Sequence, residues 1–309
     1  MKQVLNIFAL HKRFDFETSV KYAKDAGLDY IDYDFDSADM AKGTSIFSGD
    51  DWEERAKEIR RIANENGVQI VQAHAPFRFG LTIGDEKKRN EEVYPTIIRS
   101  IKCASIMGAK IIVVHPMHGL KAMRMTYDDP KLKEINIDLY KRLIPVCKEY
   151  GIKVATENMW DNDQRKYMIT HSVCSKKEDF IYYLDTINSE YIVGCLDIGH
   201  VGLPFQDDEA WDFIYAMGNK RIATLHIHDN DYIHDQHFPL LRGLVNWDKV
   251  MTALGEIDYK GDFIYELDIP EIKTCDARLV PSILKTIKET GDIMIEKIEK
   301  ARKKQGRKH

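Results

Sequence analysis

Short apolar runs rich in β-branched residues alternate along the chain with longer stretches whose apolar residues recur at helical spacing. The runs at 4–10, 30–35, 68–73, 110–114, 153–156, 192–196, 222–227 and 262–267 predict strands. Between them, helical periodicity covers 16–26, 51–66, 86–107, 131–150, 176–187, 208–217 and 247–254, and a long final helix starts at about 277. Several of these stretches carry their own stop signals. Gly27, Gly67, Gly108 and Gly151 stand just past a helix end, where a left-handed backbone is needed, and Asp51 is placed to cap the second helix.

Eight strand–helix alternations without a Pro/Gly/Ser-rich linker predict one parallel (β/α)8 TIM barrel over residues 1–299. A doubly wound open sheet is the competing architecture, and its glycine-rich phosphate turn is missing. The basic run at 300–309 reads as a flexible, solvated tail.

Composition narrows the classes. Apolar residues make up 44% of the 309 and charged residues 31%, a soluble globular balance, and no stretch approaches a membrane span. The formal charge of −5 gives no basic face for duplex DNA, so no nucleic-acid partner is expected. The five cysteines are scattered and unpaired in spacing, and the chain begins without a signal pattern, so a reduced, cytoplasmic setting is expected.

Catalytic groups of such a barrel gather at the carboxyl ends of its strands. Successive predicted strands end in Ala73-His74, Val114-His115, Thr156-Glu157, Leu196-Asp197, Leu225-His226 and Tyr265-Glu266. Any one of these has a bland explanation, as a hydrogen-bonded histidine or a solvated acid. Together they converge on one mouth, where carboxylates repel unless something positive sits among them. Glu157, Asp197, His226 and Glu266 form a mixed oxygen and nitrogen set suited to a divalent cation. His226 and His228 share parity, and the turn position of His228 makes His226 the better ligand candidate.

These motifs resemble those of the xylose-isomerase-like TIM-barrel superfamily, which includes sugar (phosphate) isomerases and epimerases, inosose dehydratase and endonuclease IV. The most specific parts are Leu196-Asp197-Ile198-Gly199-His200, His226-Ile227-His228-Asp229-Asn230-Asp231, and Asp235-Gln236-His237-Phe238-Pro239 leading to Gly243 and Trp247. The resemblance implies one catalytic divalent ion (manganese, magnesium, cobalt or zinc) on Glu157, Asp197, His226 and Glu266. It implies isomerisation or epimerisation of a small sugar or polyol through an enediolate, with Glu157 and Glu266 moving protons and His200 bonding a substrate oxygen. Phe8 or Phe77 and Trp160 are candidate walls for the sugar. The ketose epimerases carry an Arg where this chain has Tyr232, and Arg242 is the candidate substitute.

Two rivals share the motifs. A dehydratase of the inosose type uses a similar site. The three-zinc site of endonuclease IV has counterparts in His74, His115, His200, Asp235 and His237, a second metal or substrate-binding set. No membrane partner is expected, and a homo-oligomer is left open.

Overall fold

The computed structural model describes residues 1–35, 43–77, 85–118, 126–163, 167–203 and 208–305. Eight parallel strands form the centre: β1 (Gln3–Asn6), β2 (Tyr30–Asp34), β3 (Gln69–His74), β4 (Ile111–Val113), β5 (Lys153–Glu157), β6 (Ile192–Asp197), β7 (Ile222–His226) and β8 (Phe263–Tyr265). Each neighbours the next in sequence, and β8 pairs with β1. The ring closes between β7 and β8, where Ile227 N donates to Ile264 O at 2.9 Å and Glu266 N to Ile227 O at 3.3 Å. This is the expected (β/α)8 barrel.

The helices are α1 (Phe16–Asp25), α2 (Trp52–Glu65), α3 (Tyr94–Met107), α4 (Pro130–Tyr150), α5 (Lys177–Ile187), α6 (Ala210–Arg221), α7 (Trp247–Glu256) and α8 (Val280–Gln305). Their apolar faces bury Val20, Ala56, Ile101, Leu139, Phe180, Phe213, Val250 and Leu284 against the outer side of the strands. Each large aliphatic or aromatic side chain buried this way contributes about 1.5–3 kcal/mol. A second, smaller apolar cluster (Val113, Ala155 and Cys195) fills the barrel itself. Asn6, Asp32, Gln72 and Thr224 of the same sheet are buried polar residues. Asn6 Nδ2 donates to Asp32 Oδ2 at 3.0 Å, and Thr224 Oγ1 to Gln72 Oε1 at 2.6 Å. Asn6 also lines the cavity at the mouth, and Gln72 Nε2 lies 3.3 Å from His226 Nε2.

The stop glycines behave as expected, with φ of 81° at Gly27, 71° at Gly67, 113° at Gly108 and 61° at Gly151. Other expectations need correction. The first strand ends at Asn6 rather than residue 10, because Asn6 Oδ1 accepts from Phe8 N at 2.9 Å and turns the chain into a short helix, Phe8–His11. Asp51 does not cap α2; its carboxylate takes Arg55 Nε at 2.9 Å instead. The stretch 86–107 contains a wide turn at Arg89–Val93 before α3, where Pro95 supplies no N–H for a regular helical bond. The tail is not loose from residue 300: α8 runs to Gln305. Ala301 is buried, and Arg302 bonds Asp258 at 2.8 Å as well as Tyr259 O. Gly255 makes this docking close, since a Cβ there would meet Ala301 Cβ and Ile298 O at 2.5 Å. Residues 306–309 lie outside the described residues.

An antiparallel hairpin, Trp160–Asp163 with Met168–His171, stands over the mouth after β5; the periodicity gave no sign of it. All five cysteines are free. Among the described residues, no helix is long and apolar enough to cross a membrane.

Candidate functional site

Strand register carries the first group of side chains to one level. Glu157 of β5 pairs with Cys195 of β6, and Asp197 of β6 pairs with His226 of β7. Glu266 follows β8 directly. His226 Nδ1 lies 3.3 Å from Glu157 Oε1, 3.1 Å from Glu266 Oε2 and 3.9 Å from Asp197 Oδ2. One donor atom from each of these four residues falls within 4.8 Å of the others, a spacing that a single ion can span.

Two further groups adjoin it. His74, Glu157 and His226 meet the same 4.8 Å criterion, and so do His200, His228, Asp235 and His237. His115 Nε2 stands 3.2 Å from Glu157 Oε2 and 3.0 Å from His74 Nε2. The Asp197 carboxylate accepts from His200 N at 2.8 Å and so caps the short helix Ile198–Val201 that presents His200. His228 does not merely end the strand. Its ring stacks on His237 with centroids 3.9 Å apart, and its Nε2 reaches Asp197 Oδ1 at 3.0 Å. Sequence parity had already given His228 the right face; the loop that folds back over it was not visible.

The outer bonds of the histidines aim them. His74 Nδ1 donates to Ala75 O at 2.9 Å, His200 Nδ1 to Asn158 O at 2.9 Å, and His237 Nδ1 to Glu266 O at 2.8 Å. A carbonyl only accepts, so each Nδ1 carries the proton and each Nε2 is left for the site, the arrangement common to histidine ligands. His226 is turned the other way: Nε2 faces Gln72 at 3.3 Å and Nδ1 faces the carboxylates.

Charge in the cluster is strongly coupled. Burial alone would raise the Glu157 carboxyl, but His226 and His115 hold it well below the usual carboxylate range. Glu266 is likewise held down against burial, chiefly by His226 and then His237. Burial would lower the imidazoles, yet Glu157 with Asp34 and Glu266 pushes His74 up to about 9, and Asp235 with Glu266 pushes His237 up to about 10. Burial dominates at His115, which is lowered. Several buried atoms still meet no hydrogen-bond partner of acceptable geometry, among them Glu157 Oε2, His226 Nδ1, His200 Nε2 and Asp235 Oδ1. Unsatisfied buried donors and acceptors are costly, and all four converge on this one place.

A cavity of about 530 Å³ opens above the cluster. Phe8, Phe77, Met159 and Trp160 line it with Glu266 and four of the cluster's histidines. Trp160 Nε1 donates to Asp235 Oδ2 at 3.0 Å, tying the hairpin to the loop after β7. Arg242 is not brought there. It pairs with Glu271 at 2.6 Å with its side chain 52% exposed, and Tyr232, in place of the epimerases' arginine, packs over Gly202. His118, three residues after His115, was not singled out in the sequence. It lines the cavity, bonds Ser172 Oγ through Nδ1 at 3.0 Å, and is lowered to about 4 by burial.

Comparison with known proteins agrees with this arrangement of strands. An uncharacterised protein of Methanocaldococcus jannaschii is 26% identical, over 66% of each chain. A probable endonuclease 4 of Metamycoplasma arthritidis is 21% identical, over 57% of this chain and 54% of that one. Among solved structures, a D-tagatose 3-epimerase-like protein superposes with a TM-score of 0.70 at 21% identity, covering 96% of this chain and 100% of the other. A D-psicose 3-epimerase superposes at 0.71 and 14% identity, covering 96% and 99%. The IOLI protein, solved with a zinc atom, superposes at 0.70 and 18% identity, covering 97% and 99%. At these identities the superpositions speak for the fold. Residues 20–289 match the family described as xylose isomerase-like TIM barrel, and the chain belongs to it.

Proposed function

We propose that the chain is a metal-dependent isomerase or epimerase of a small sugar or sugar derivative. The observation that carries this reading is the meeting of Glu157 and Glu266 across His226 Nδ1, at 3.3 and 3.1 Å, beneath an aromatic-walled cavity of about 530 Å³. A cavity of that size suits a small ligand, and aromatic rings suit the C–H faces of a sugar.

The donor set fits a divalent ion. Its orphaned buried atoms, Glu157 Oε2, His226 Nδ1, His200 Nε2 and Asp235 Oδ1, want a shared partner that the protein does not supply. Glu157, Asp197, His226 and Glu266 would hold the ion; its contribution is to polarise a carbonyl and its neighbouring hydroxyl and so favour loss of the C–H proton between them. The remaining chemistry belongs to side chains. Glu157 and Glu266, held ionised by the histidines beside them, accept a proton from carbon and return it, to the same carbon for epimerisation or its neighbour for isomerisation. His200 Nε2, aimed by the Asn158 carbonyl, bonds the oxygen on which enediolate charge develops. Phe8, Phe77 and Trp160 hold the ring against water.

Incubating the metal-reconstituted protein with a panel of ketoses, ketose phosphates and inososes tests this. The expected result is epimer or isomer formation from at least one of them, lost in Glu157→Gln. Loss of water from an inosose would move the reading to a dehydratase.

A second reading has one observation in its favour: the strand-borne and loop-borne ligand groups together could hold more than one ion. That supports a zinc-dependent abasic-site nuclease. Elemental analysis paired with an abasic-DNA nicking assay separates the two. Nicking by the zinc-loaded chain would favour the nuclease; ion uptake without nicking, on the strand-borne group alone or with a second ion on the loop-borne group, would favour the sugar enzyme.

A further inference from the structure

The loop from His228 to Trp247 carries Asp235 and His237 over the barrel, and its own fastening is unlike that of the strand-borne ligands. Asp229 is fully buried and belongs to none of the three ligand groups. Its carboxylate is instead saturated by N–H donors. Oδ1 accepts from Asn230 N at 3.0 Å and Val245 N at 3.1 Å, and Oδ2 accepts from Trp247 Nε1 at 2.9 Å. Its backbone exchanges two bonds with Phe238, each 2.8 Å, and Leu244 N donates to Asn230 O at 2.8 Å. Gly243 makes the closure fit, because a Cβ there would collide with Asn230 O and Asp229 Oδ1. The same knot reaches the neighbouring ligand, since Asn230 Nδ2 donates to Gly199 O at 2.8 Å within the turn that presents His200.

We propose that Asp229, Gly243 and Trp247 form a clasp whose task is to position the Asp235/His237 pair, making Asp229 a positioning residue rather than a ligand. The geometry explains why residues as far apart as Gly243 and Trp247 go with the Asp235-Gln236-His237 motif. Both close the loop on one carboxylate, and the two ligand side chains project from the segment between its fastened ends. An acid is required at 229. Three N–H groups converge on two oxygens, and an amide would turn a donor toward one of them. The inference rests on the reading that these groups hold divalent ions, with zinc as the probe.

The test is zinc stoichiometry and affinity on the full chain, stripped and reconstituted, for wild type, Asp229→Asn, Trp247→Phe, His237→Ala and Glu157→Gln. Asp229→Asn is expected to lose the same equivalent of zinc as His237→Ala while keeping the ion on the strand-borne group. Trp247→Phe, which removes a single N–H, should keep the count and weaken that ion by about tenfold. Circular dichroism checks folding, and Trp247→Phe decides the matter if Asp229→Asn does not fold. Wild-type count and affinity in both clasp variants would overturn the clasp, as would loss of every ion in Trp247→Phe. A count that falls with Glu157→Gln but not with Asp229→Asn breaks only the clasp. A count insensitive to both breaks the ion-binding reading itself.

Discussion

The two candidate ligand groups of this barrel are built differently. Glu157, Asp197 and His226 are the last residues of consecutive or neighbouring strands, and Glu266 directly follows one, so the sheet register sets their spacing. His200, Asp235 and His237 sit on a four-residue helix and a long loop, held by an aspartate cap, two imidazole-to-carbonyl bonds and the Asp229 clasp. Sheet hydrogen bonds distribute positional error over the whole barrel, whereas a loop depends on a few bonds of about 1 kcal/mol each. The strand-borne group should therefore be the more robust, and the loop-borne group the more easily lost.

The largest effect should come from the acids of the strand-borne group. Glu157→Gln removes an acid from the centre, so turnover is expected to fall by about 10²–10⁴-fold, with Glu266→Gln close behind. His237→Ala should cost less, emptying the loop-borne group of its ion while the strand-borne ion is retained. If His237→Ala proved as damaging as Glu157→Gln, the two groups would be one functional unit.

Acid should separate them further. In the ion-free chain His237 is pushed up to about 10 and His74 to about 9, so both are charged at neutral pH and must lose a proton before binding metal. Ion affinity should then rise as pH climbs towards 9–10, by about tenfold per pH unit for each proton displaced. Zinc titrations at several pH values, with proton release followed in weak buffer, check this; a pH-independent affinity would contradict it.

His11 provides a control outside both groups. Its ring lies among Phe16 and Tyr33, at 5.5 and 5.9 Å, and burial lowers it to about 4. A histidine lowered in the folded state binds its proton first in the unfolded chain, so this stability is intact above about pH 6.5 and is lost as pH falls towards 4. His11→Phe should flatten the difference between urea melts at pH 7 and pH 5, on the order of 1 kcal/mol. The smallest effect belongs to Arg242→Ala. Its partner is the exposed Glu271, so ion content should not change and stability should shift by less than about 1 kcal/mol.

The same contrast explains what could be read from the chain. Most strands were legible because a parallel barrel strand buries both faces, and four of the helices end at a stop glycine, Gly27, Gly67, Gly108 or Gly151; the terminal residue of a strand then falls at the mouth by topology alone. Glu157, Asp197, His226 and Glu266 were singled out that way. His200, Asp235 and His237 were reached through resemblance, since nothing in local periodicity says that a loop folds back on Asp229. The strand pair Trp160–Asp163 and Met168–His171 escaped because each strand is only four residues long. Arg242 was misplaced because sequence proximity to the mouth says nothing about which partner, here Glu271, a flexible arginine finds first.

The most direct test of the sugar-enzyme reading is solvent exchange at carbon. The metal-reconstituted protein is incubated in D2O with each ketose and ketose phosphate, and the carbon next to the carbonyl is followed by NMR. Deuterium should enter at that carbon for at least one substrate with wild type and not with Glu157→Gln or Glu266→Gln. No incorporation with any of them, together with nicking of abasic-site DNA by the same zinc-loaded sample, would contradict it.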